Sequence, residues 1–351
     1  MLFRSRVADF CGAKYAVAFN SGTSALHAAM FAAGVEAGDE VISSPLTFVA
    51  STNAAVYMGA QPVFIDIDMS TYCLDIGRLE EAITDRTRVI VAVDYAGFPV
   101  NMAAIREIAA KHNIVVVEDA AHALGARREG RMVGQEADMT MFSFHPVKHI
   151  TTGEGGMIVC NDYEYWRRLK LFRSHGIEKD AANFIQEPDG PWYYEMQELG
   201  FNYRITDIQS ALGLSQLRKL PAFIAERRNI AAVYDSAFQH HQMLSVPPRP
   251  VGDGEHAFHL YPLLFSPSLD RLKVFHALRA ASIGVQVHYV PVHLHPFYRR
   301  QFGYGPGDFP NAEDVYAREI SLPMYAGLSH TEQEYVIEKV LAIASAESMK
   351  K

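Results

Sequence analysis

Cysteine is scarce in this sequence. Its 351 residues include three cysteines, Cys11, Cys73 and Cys160, which lie far apart and show no CxxC spacing. An odd number of widely separated cysteines argues against a disulfide framework, and the spacing does not fit a zinc site. We therefore expect reduced thiols, which are usual in the cytoplasm, and no metal site.

The sequence also lacks long apolar runs and an excess of positive charge. No stretch of about 18 apolar residues is present, and the first residues, MLFRSRVADFCGAKYAVAF, contain no hydrophobic region that ends in a cleavage site. The formal net charge is −8, so no global positive field would recruit nucleic acid or an anionic membrane. We expect neither of these partners, and we expect a cytoplasmic location. One small phosphate ligand, which needs only local donors, is compatible with this charge.

Core-forming residues are plentiful, with 49% hydrophobic residues, 20 Phe and 17 Tyr. In the first two-thirds of the chain, short apolar runs alternate with helical stretches at 24–33, 48–57 and 102–111. This alternation predicts crossover connections and a mainly parallel sheet that is buried on both faces. The predicted strands are 15–19, 40–43, 61–66, 88–94, 114–118, 139–144 and 156–160.

The pattern changes after about residue 220. A long helical segment at 221–239 leads into a Pro-rich loop, SVPPRPVGDGEH. Beyond the loop we predict strands at 259–265 and 285–290 and helices at 269–281 and 331–345. At roughly 150 residues per domain, the chain divides into two. Residues 1–220 form a large α/β domain, and residues 221–351 form a connecting helix and a smaller α+β domain.

The first candidate site is Phe19-Asn20-Ser21-Gly22-Thr23-Ser24, where a strand ends and an Ala-rich helix begins. Free amides and the positive dipole at a helix N-terminus can bind a phosphate dianion. The alternative is that Ser21 or Thr23 simply caps the helix.

The second candidate is Asp119, which ends an apolar strand in Val117-Glu118-Asp119-Ala120-Ala121-His122. A buried carboxylate is costly unless it meets a cation or hydrogen-bond donors. A protonated pyridine nitrogen is one such cation. The alternative is an Asp119 that is bonded only to the backbone or to His122.

The third candidate is Lys148, which lies between the aromatic strand Phe142-Ser143-Phe144 and the glycine-rich turn Gly153-Glu154-Gly155-Gly156. A lysine is usually a solvated surface residue. A tight, partly buried position would lower its pKa and favour Schiff-base formation. His145 and His149 flank it without a metal-ligand pattern, and we expect them to form local hydrogen bonds.

Together these segments resemble the DegT/DnrJ/EryC1/StrS family of sugar aminotransferases, which depend on pyridoxal 5′-phosphate (PLP). The resemblance runs from CGAKYAVAFNSGTSALHAA to AREISLPMYAGLS and includes SPLTFVASTNAA, VEDAAHALGA, FSFHPVKHITTGEGG, LFRSHGI and GFNYRITDIQSALGLSQL. It implies the aspartate-aminotransferase fold (PLP-dependent fold type I) and a homodimer with shared active sites. It also implies transfer of an amino group from L-glutamate to a nucleotide-linked keto-sugar by a ping-pong reaction. The phrases VDYAG and VQVHYVP favour a UDP-linked 4-keto-6-deoxy-N-acetylhexosamine, used for surface polysaccharide or nonulosonic acid.

The resemblance assigns roles to individual residues. Lys148 is the Schiff-base lysine and Asp119 pairs with the pyridine nitrogen. Gly22 and Thr23, aided by Ser143, bind the phosphate. The remaining cofactor contacts fall on Phe48 and His122, and on Asn202 acting across a dimer interface; the substrate contacts fall on Arg204, His288 and Tyr289, with His293 as a further candidate.

Three alternative functions are considered, and the chain differs from the family pattern at its N-terminus. A PLP-dependent sugar dehydratase is disfavoured because such relatives carry His where Lys148 stands. An NAD-dependent Rossmann enzyme is disfavoured because no GxGxxG closes an early strand. A non-catalytic regulatory or sensory protein on the same fold stays open. Family members usually begin a few tens of residues earlier, with a loop near the substrate, so we expect either a misassigned start or an incomplete sugar site.

Overall fold

The computed structural model describes residues 2–348. Within them the chain forms one large sheet, one small three-stranded sheet and two short hairpins, surrounded by helices. The strands are β1 Tyr15–Phe19, β2 Glu40–Ser43, β3 Gln61–Phe64, β4 Thr87–Val93, β5 Val115–Asp119, β6 Arg127–Arg128, β7 Arg131–Met132, β8 Met139–Ser143, β9 Gly156–Cys160, β10 Ile177–Glu178, β11 Glu195–Met196, β12 Leu244–Ser245, β13 Tyr261–Phe265 and β14 Glu319–Leu322.

The helices cover both faces of the large sheet and surround the small one. They are α1 Leu2–Cys11, α2 Gly22–Ala32, α3 Ala50–Tyr57, α4 Leu79–Ala82, α5 Met102–Lys111, α6 Tyr163–Arg173, α7 Asp207–Leu217, α8 Leu220–Phe238, α9 Arg271–Ala280, α10 Pro296–Phe302, α11 Pro310–Arg318 and α12 His330–Ser348. No helix within residues 2–348 is both long and apolar enough to cross a bilayer.

The large sheet has seven strands in the order β1-β9-β8-β5-β4-β2-β3. Strands β3, β2, β4, β5 and β8 run parallel to one another. Strand β9 lies between β8 and β1 and is antiparallel to both. The parallel strands have their carboxyl ends at one edge, and Asp119 at the end of β5 is in register with Met141 of β8. This edge is where an α/β fold places its ligands.

Alternate residues of β4 show why the sheet is buried on both faces. Val89 and Val91 pack into a cluster with α2 and α3, whereas Ile90 and Ala92 pack on the opposite side with Ile105 of α5. Each fully buried valine or isoleucine stabilises the fold by about 1.5–3 kcal/mol. An apolar run without polar alternation therefore belongs to a strand that is covered by helices on both sides.

The C-terminal part has its own core. Strands β12, β13 and β14 form an antiparallel sheet that packs on α8, α9 and α12, with Tyr234, Phe265, Leu278, Ile320 and Val340 completely or almost completely buried. The connection to the large sheet is close: a side chain on Gly97 would lie 2.7 Å from the His122 carbonyl oxygen and 2.8 Å from the Phe258 nitrogen. Glycine at 97 lets the C-terminal part reach the carboxyl edge of the large sheet.

The seven strands expected in the large sheet and its mainly parallel order are confirmed. The strand expected at 285–290 is wrong: that segment has no regular secondary structure and forms only an isolated bridge between Gln286 and Ser321. The strand expected from 259 begins at Tyr261. Residues before it bond to a loop of the large sheet, because the His259 N–H donates to the Ala96 carbonyl at 2.9 Å. The division into domains at residue 220 stays a prediction.

Candidate active site

A cleft of about 310 Å³ opens at the carboxyl edge of the large sheet. The strand ends and the loop before α3 form one side, and the segment that carries His288 forms the other. Nine of the twelve predicted site residues line it: Gly22, Thr23, Phe48, Asp119, His122, Ser143, Lys148, His288 and Tyr289.

The turn before α2 combines both functions considered for it. Ser21 caps the helix, since its hydroxyl accepts from the Ser24 N–H and Ser24 reciprocates. The amides of Gly22 and Thr23 donate to no acceptor within residues 2–348 and lie at the cleft. A side chain on Gly22 would come within 3.3 Å of the Ser143 Cβ. The positive end of the capped helix thus offers the free amides of Gly22 and Thr23, and the Ser143 side chain lies beside them.

Asp119 is buried at 5% exposure. Burial raises the pKa of its carboxyl, and hydrogen bonds from Ser51 and the Ala121 N–H together with the charge of Lys148 oppose that rise. The Ser51 hydroxyl donates to Asp119 Oδ2 at 2.6 Å, and the Ala121 N–H donates to Oδ1 at 3.1 Å. No Lys or Arg forms a salt bridge with this carboxylate in the described part of the chain. A cationic ligand group would find a prepared counter-ion here.

Lys148 stands opposite Asp119 and keeps some solvent exposure. Burial lowers the pKa of its amine to about 8, and the Asp119 charge acts in the opposite direction. At pH 7 a pKa of about 8 leaves about a tenth of the amine neutral, whereas an ordinary lysine has well under a thousandth. The amine is therefore prepared both to attack a carbonyl and to accept a proton.

The residues that sequence reasoning missed are Ser51 and His259. His259 is almost fully buried, and its Nε2 lies 3.3 Å from Lys148 Nζ. Burial lowers the pKa of His259 well below its ordinary value, so the ring is neutral beside the amine. Ser51 had a detectable signal, because it follows Phe48 by three residues, on a segment rich in Ser and Thr. His259 had none, because it contacts Lys148 from 111 residues away along the chain.

An aromatic group closes the outer side of the cleft. The Tyr289 hydroxyl lies 3.1 Å from His122 Nε2, and the two rings stack at 6.0 Å. Phe48 lies 6.0 Å from the Tyr289 ring and is 55% exposed. His122 Nδ1 is buried without a hydrogen-bond partner in the described chain. A flat ligand ring would cover Phe48 and fill the space beside His122.

Three predicted residues lie elsewhere in the same chain. Asn202 and Arg204 are exposed and do not line the cleft; Asn202 forms a bridge with Ser174, and Arg204 borders a separate basic cavity. His293 is fully buried and pairs with Glu313 at 2.9 Å, which accounts for it structurally. The local hydrogen bond expected of His149 is wrong: its Nε2 lies 3.1 Å from the carbonyl oxygen of Ala257, 108 residues away along the chain.

The groups present fit a phosphate-bearing cofactor with a cationic ring and a carbonyl carbon. Free amides at a helix N-terminus, a buried carboxylate without a salt-bridge partner and an amine of lowered pKa face one another. The fold and this set of groups define an aminotransferase of the PLP-dependent α/β class.

The chain belongs to the DegT/DnrJ/EryC1/StrS aminotransferase family, whose model matches residues 1–341. It is 43% identical to the spore coat polysaccharide biosynthesis protein SpsC of Bacillus subtilis, over 96% of this chain and 87% of that protein. It is 37% identical to the UDP-4-amino-4,6-dideoxy-N-acetyl-β-L-altrosamine transaminase of Campylobacter jejuni, over 97% and 88%. A pleiotropic regulatory protein of Geobacillus stearothermophilus is 36% identical, over 95% and 86%.

Solved structures agree with this membership. Helicobacter pylori PseC, an aminotransferase involved in the biosynthesis of pseudaminic acid, superposes with a TM-score of 0.89 at 36% identity, covering 98% of this chain and 91% of that one. The PLP form of the sugar aminotransferase Spr1654 from Streptococcus pneumoniae gives a TM-score of 0.91 at 29% identity, covering 99% and 91%. The predicted fold class is thereby confirmed.

Proposed function

We propose that this aminotransferase transfers the amino group of L-glutamate to a nucleotide-linked keto-sugar in the cytoplasm. The acceptor we favour is a UDP-linked 4-keto-6-deoxy-N-acetylhexosamine, used for a surface polysaccharide or a nonulosonic acid. The observation that carries the proposal is the pairing of Lys148, whose pKa burial lowers to about 8, with buried Asp119 across one cleft. The kinship with a UDP-sugar transaminase supports the choice of acceptor.

PLP fits the groups of the cleft. The amides of Gly22 and Thr23 and the Ser143 hydroxyl would hold its phosphate, Asp119 would face the ring nitrogen, and Phe48 and His122 would flank the ring. When bound, PLP supplies an electron sink that lets a proton leave the α-carbon of an amino acid. The role of Asp119 is to keep the ring nitrogen protonated, which it can do only as a carboxylate.

Lys148 is the residue that moves protons. As a neutral amine, Nζ takes the α-proton of the amino donor and returns a proton to the cofactor side, and it performs the reverse transfers for the keto-sugar. The neighbouring His259, which is neutral and 3.3 Å away, holds Nζ without adding a competing charge. His288 and Tyr289 stand on the side of the cleft where the second substrate enters.

A homodimer with shared sites accounts for the residues outside the cleft. Asn202 and Arg204 are exposed in the single chain, and the segment before them presents large apolar side chains to solvent: Ile185, Trp192, Met196 and Leu199, followed by Ile208. A monomer rarely exposes such a patch. A second copy of the chain would cover it and bring Asn202 toward the phosphate of its partner's cofactor.

Two experiments test these statements. Incubation with L-glutamate, PLP and a panel of UDP-, dTDP- and GDP-linked keto-sugars should yield an amino-sugar product by mass; no product with any acceptor contradicts the proposal. Mixing Asn202→Ala with Lys148→Ala chains should restore part of the activity through hybrid dimers that retain one intact site. No recovery at all, in dimers shown to exchange, would exclude a shared site.

A regulatory protein on the same fold is the second candidate, because one relative bears that name. A regulator that kept the cofactor would take up PLP and turn yellow, yet would fail with every acceptor in the panel. The lowered pKa of Lys148 favours catalysis over a structural role, because strongly shifted pKa values cluster at functional sites.

A further inference from the structure

Glu319 lies directly behind the cleft, on β14 of the small sheet. It is 0% exposed and forms no salt bridge with Lys or Arg in residues 2–348. A buried carboxyl without a paired cation is costly, so hydrogen bonds must stabilise it.

The hydrogen bonds of the Glu319 carboxyl connect it to His288, both directly and through Ser321. The backbone N–H of His288 donates to Glu319 Oε2 at 2.9 Å, and the Ser321 hydroxyl bonds to Glu319 Oε1. Ser321 Oγ in turn lies 2.8 Å from His288 Nδ1. Glu319 and Ser321 are two residues apart on one strand and therefore share a face. The Tyr95 hydroxyl donates to the His288 carbonyl, so the main chain of His288 is held on both sides.

The hydroxyl of Ser321 carries one proton, and this restricts the arrangement. If Ser321 donates to an ionised Glu319, it must accept from a protonated Nδ1, and Nε2 of His288 keeps a free lone pair. If Glu319 is protonated and donates to Ser321, the hydroxyl donates to Nδ1, and the ring proton is on Nε2.

The hydrogen bonds from Glu319 through Ser321 end at the His288 ring, whose Nε2 faces the cleft. The ring lines the cleft, and Nε2 has no hydrogen-bond partner among the described residues. Burial and the charge of Lys148 lower the pKa of His288 to about 4, so the ring stays neutral near pH 7. Its role toward a ligand is then decided by the tautomer alone.

We propose that Glu319 and Ser321 are positioning residues that set the hydrogen-bonding role of His288 in the cleft. With Glu319 protonated, Nε2 donates to an oxygen of the bound substrate; with Glu319 ionised, Nε2 accepts. The inference rests on the proposed function, because it takes the carbonyl or carboxylate oxygens of the two substrates as the groups that Nε2 meets.

Burial raises the pKa of Glu319 to about 8, against the opposing effects of its bonds to Ser321 and His288 and of the Arg271 charge. Below that pH the donor form therefore predominates, which suits a keto oxygen. The other titratable groups that interact with Glu319 or His288 are the hydroxyls of Tyr72, Tyr95 and Tyr289, the amine of Lys148 and the ring of His122.

The tautomer can be measured directly in the holoenzyme by ¹⁵N NMR after histidine-selective labelling. A difference spectrum against His288→Gln assigns one ring among 15 histidines. The wild type should carry the proton on Nε2 at pH 6.5 and on Nδ1 at pH 9.5. In Glu319→Gln the amide oxygen accepts from the His288 N–H, which leaves the NH2 group to donate to Ser321 and should keep the proton on Nε2 at both pH values. An unchanged wild-type tautomer, or a Glu319→Gln ring that switches as the wild type does, would overturn the proposal.

Ser321 supplies the matched pair of variants. Ser321→Ala breaks the chain of bonds and should leave the tautomer ratio independent of pH, while Ser321→Thr keeps the hydroxyl and should restore the switch. Switching in Ser321→Ala would refute a connection through the hydroxyl.

A kinetic arm separates this inference from the proposed function. From pH 6.5 to 9.5 the KM for the keto-sugar should rise more in the wild type than in Glu319→Gln. The ratio of the two KM values should increase about threefold to tenfold over this range. An identical rise in both proteins would show that Nε2 does not meet the acceptor. Absence of transamination altogether would count against the proposed function, and the NMR result would still decide the tautomer.

Discussion

The two walls of the cleft are built by different means. The sheet wall consists of Gly22, Thr23, Asp119 and Lys148, which stand at or just beyond strand ends of the large sheet. The C-terminal wall consists of His288 and Tyr289, and His259 adds a contact to Lys148; all three come from segments without regular secondary structure. Strand ends meet at one edge by the topology of a parallel sheet, whereas the C-terminal wall depends on packing between distant parts of the chain.

The comparison suggests a division of labour. The sheet wall holds two ionisable groups: burial raises the pKa of Asp119 and lowers that of Lys148. The C-terminal wall holds a neutral histidine, His288, and the hydroxyl of Tyr289. Changes to the sheet wall should therefore abolish chemistry, while changes to the C-terminal wall should adjust it.

The largest effect is expected for Lys148→Ala. Losing the group that moves the protons should lower kcat by about 10³-fold or more, and the absorbance band of the lysine-bound cofactor should be missing. Lys111→Ala, which removes an exposed lysine on α5 paired with Glu80, is the control and should be near normal. Substantial turnover in Lys148→Ala would show that another lysine does the chemistry.

Asp119→Asn should come next, with a loss of about 10²–10⁴-fold in kcat, because the amide cannot keep a ring nitrogen protonated. The neighbouring Glu118→Gln is a matched control. Its side chain lies on the other face of β5, where it accepts from Thr140 and the Gly134 N–H. Equal losses of kcat in both variants, at equal thermal stability, would contradict a special role for Asp119.

Ser51→Ala should have an intermediate effect that depends on pH. Burial already raises the pKa of Asp119 and the Ser51 hydrogen bond lowers it, so removing the hydroxyl should raise that pKa further. Only the carboxylate is active, and activity is lost as pH falls through this pKa; the acidic limb of the kcat/KM profile should therefore move to higher pH. One lost hydrogen bond to a charged group corresponds to about 1.5–3 kcal/mol, or about one to two pH units. A limb that stays in place or moves down would refute this.

Tyr289→Phe should have the smallest effect, a loss of about threefold to tenfold in kcat/KM. It removes one hydrogen bond, that to His122 Nε2, and keeps the ring that lies beside Phe48. Tyr298→Phe, which removes bonds to Thr52 and Asn53 outside the cleft, should lower thermal stability and leave kinetics nearly intact. A loss in Tyr289→Phe as large as that in Asp119→Asn would erase the proposed difference between the walls.

Much of the sheet wall could be predicted from the sequence. Apolar runs mark strands of a parallel sheet, and the polar residue at each run's end, such as Asp119, marks the ligand edge. Ser21 illustrates a limit, because a hydroxyl before an Ala-rich helix predicts a simple helix cap equally well, and the structure shows that the cap and the free amides of Gly22 and Thr23 occur together. The segment around His288 was predicted as a strand and is not one, because its partner Ser321 bonds to it at a single bridge.

What the sequence by itself determined is the class of fold and the choice of Lys148 and Asp119 as candidates, because hydrophobic periodicity, residue type and motifs are local properties of the chain. Only the tertiary structure decided that His259 lies 3.3 Å from Lys148 Nζ and that Glu319 and Ser321 stand behind His288. Those contacts join residues that are 31 to 111 positions apart. Their environment, and with it the pKa of each group, exists only once the C-terminal part has packed against the edge of the sheet.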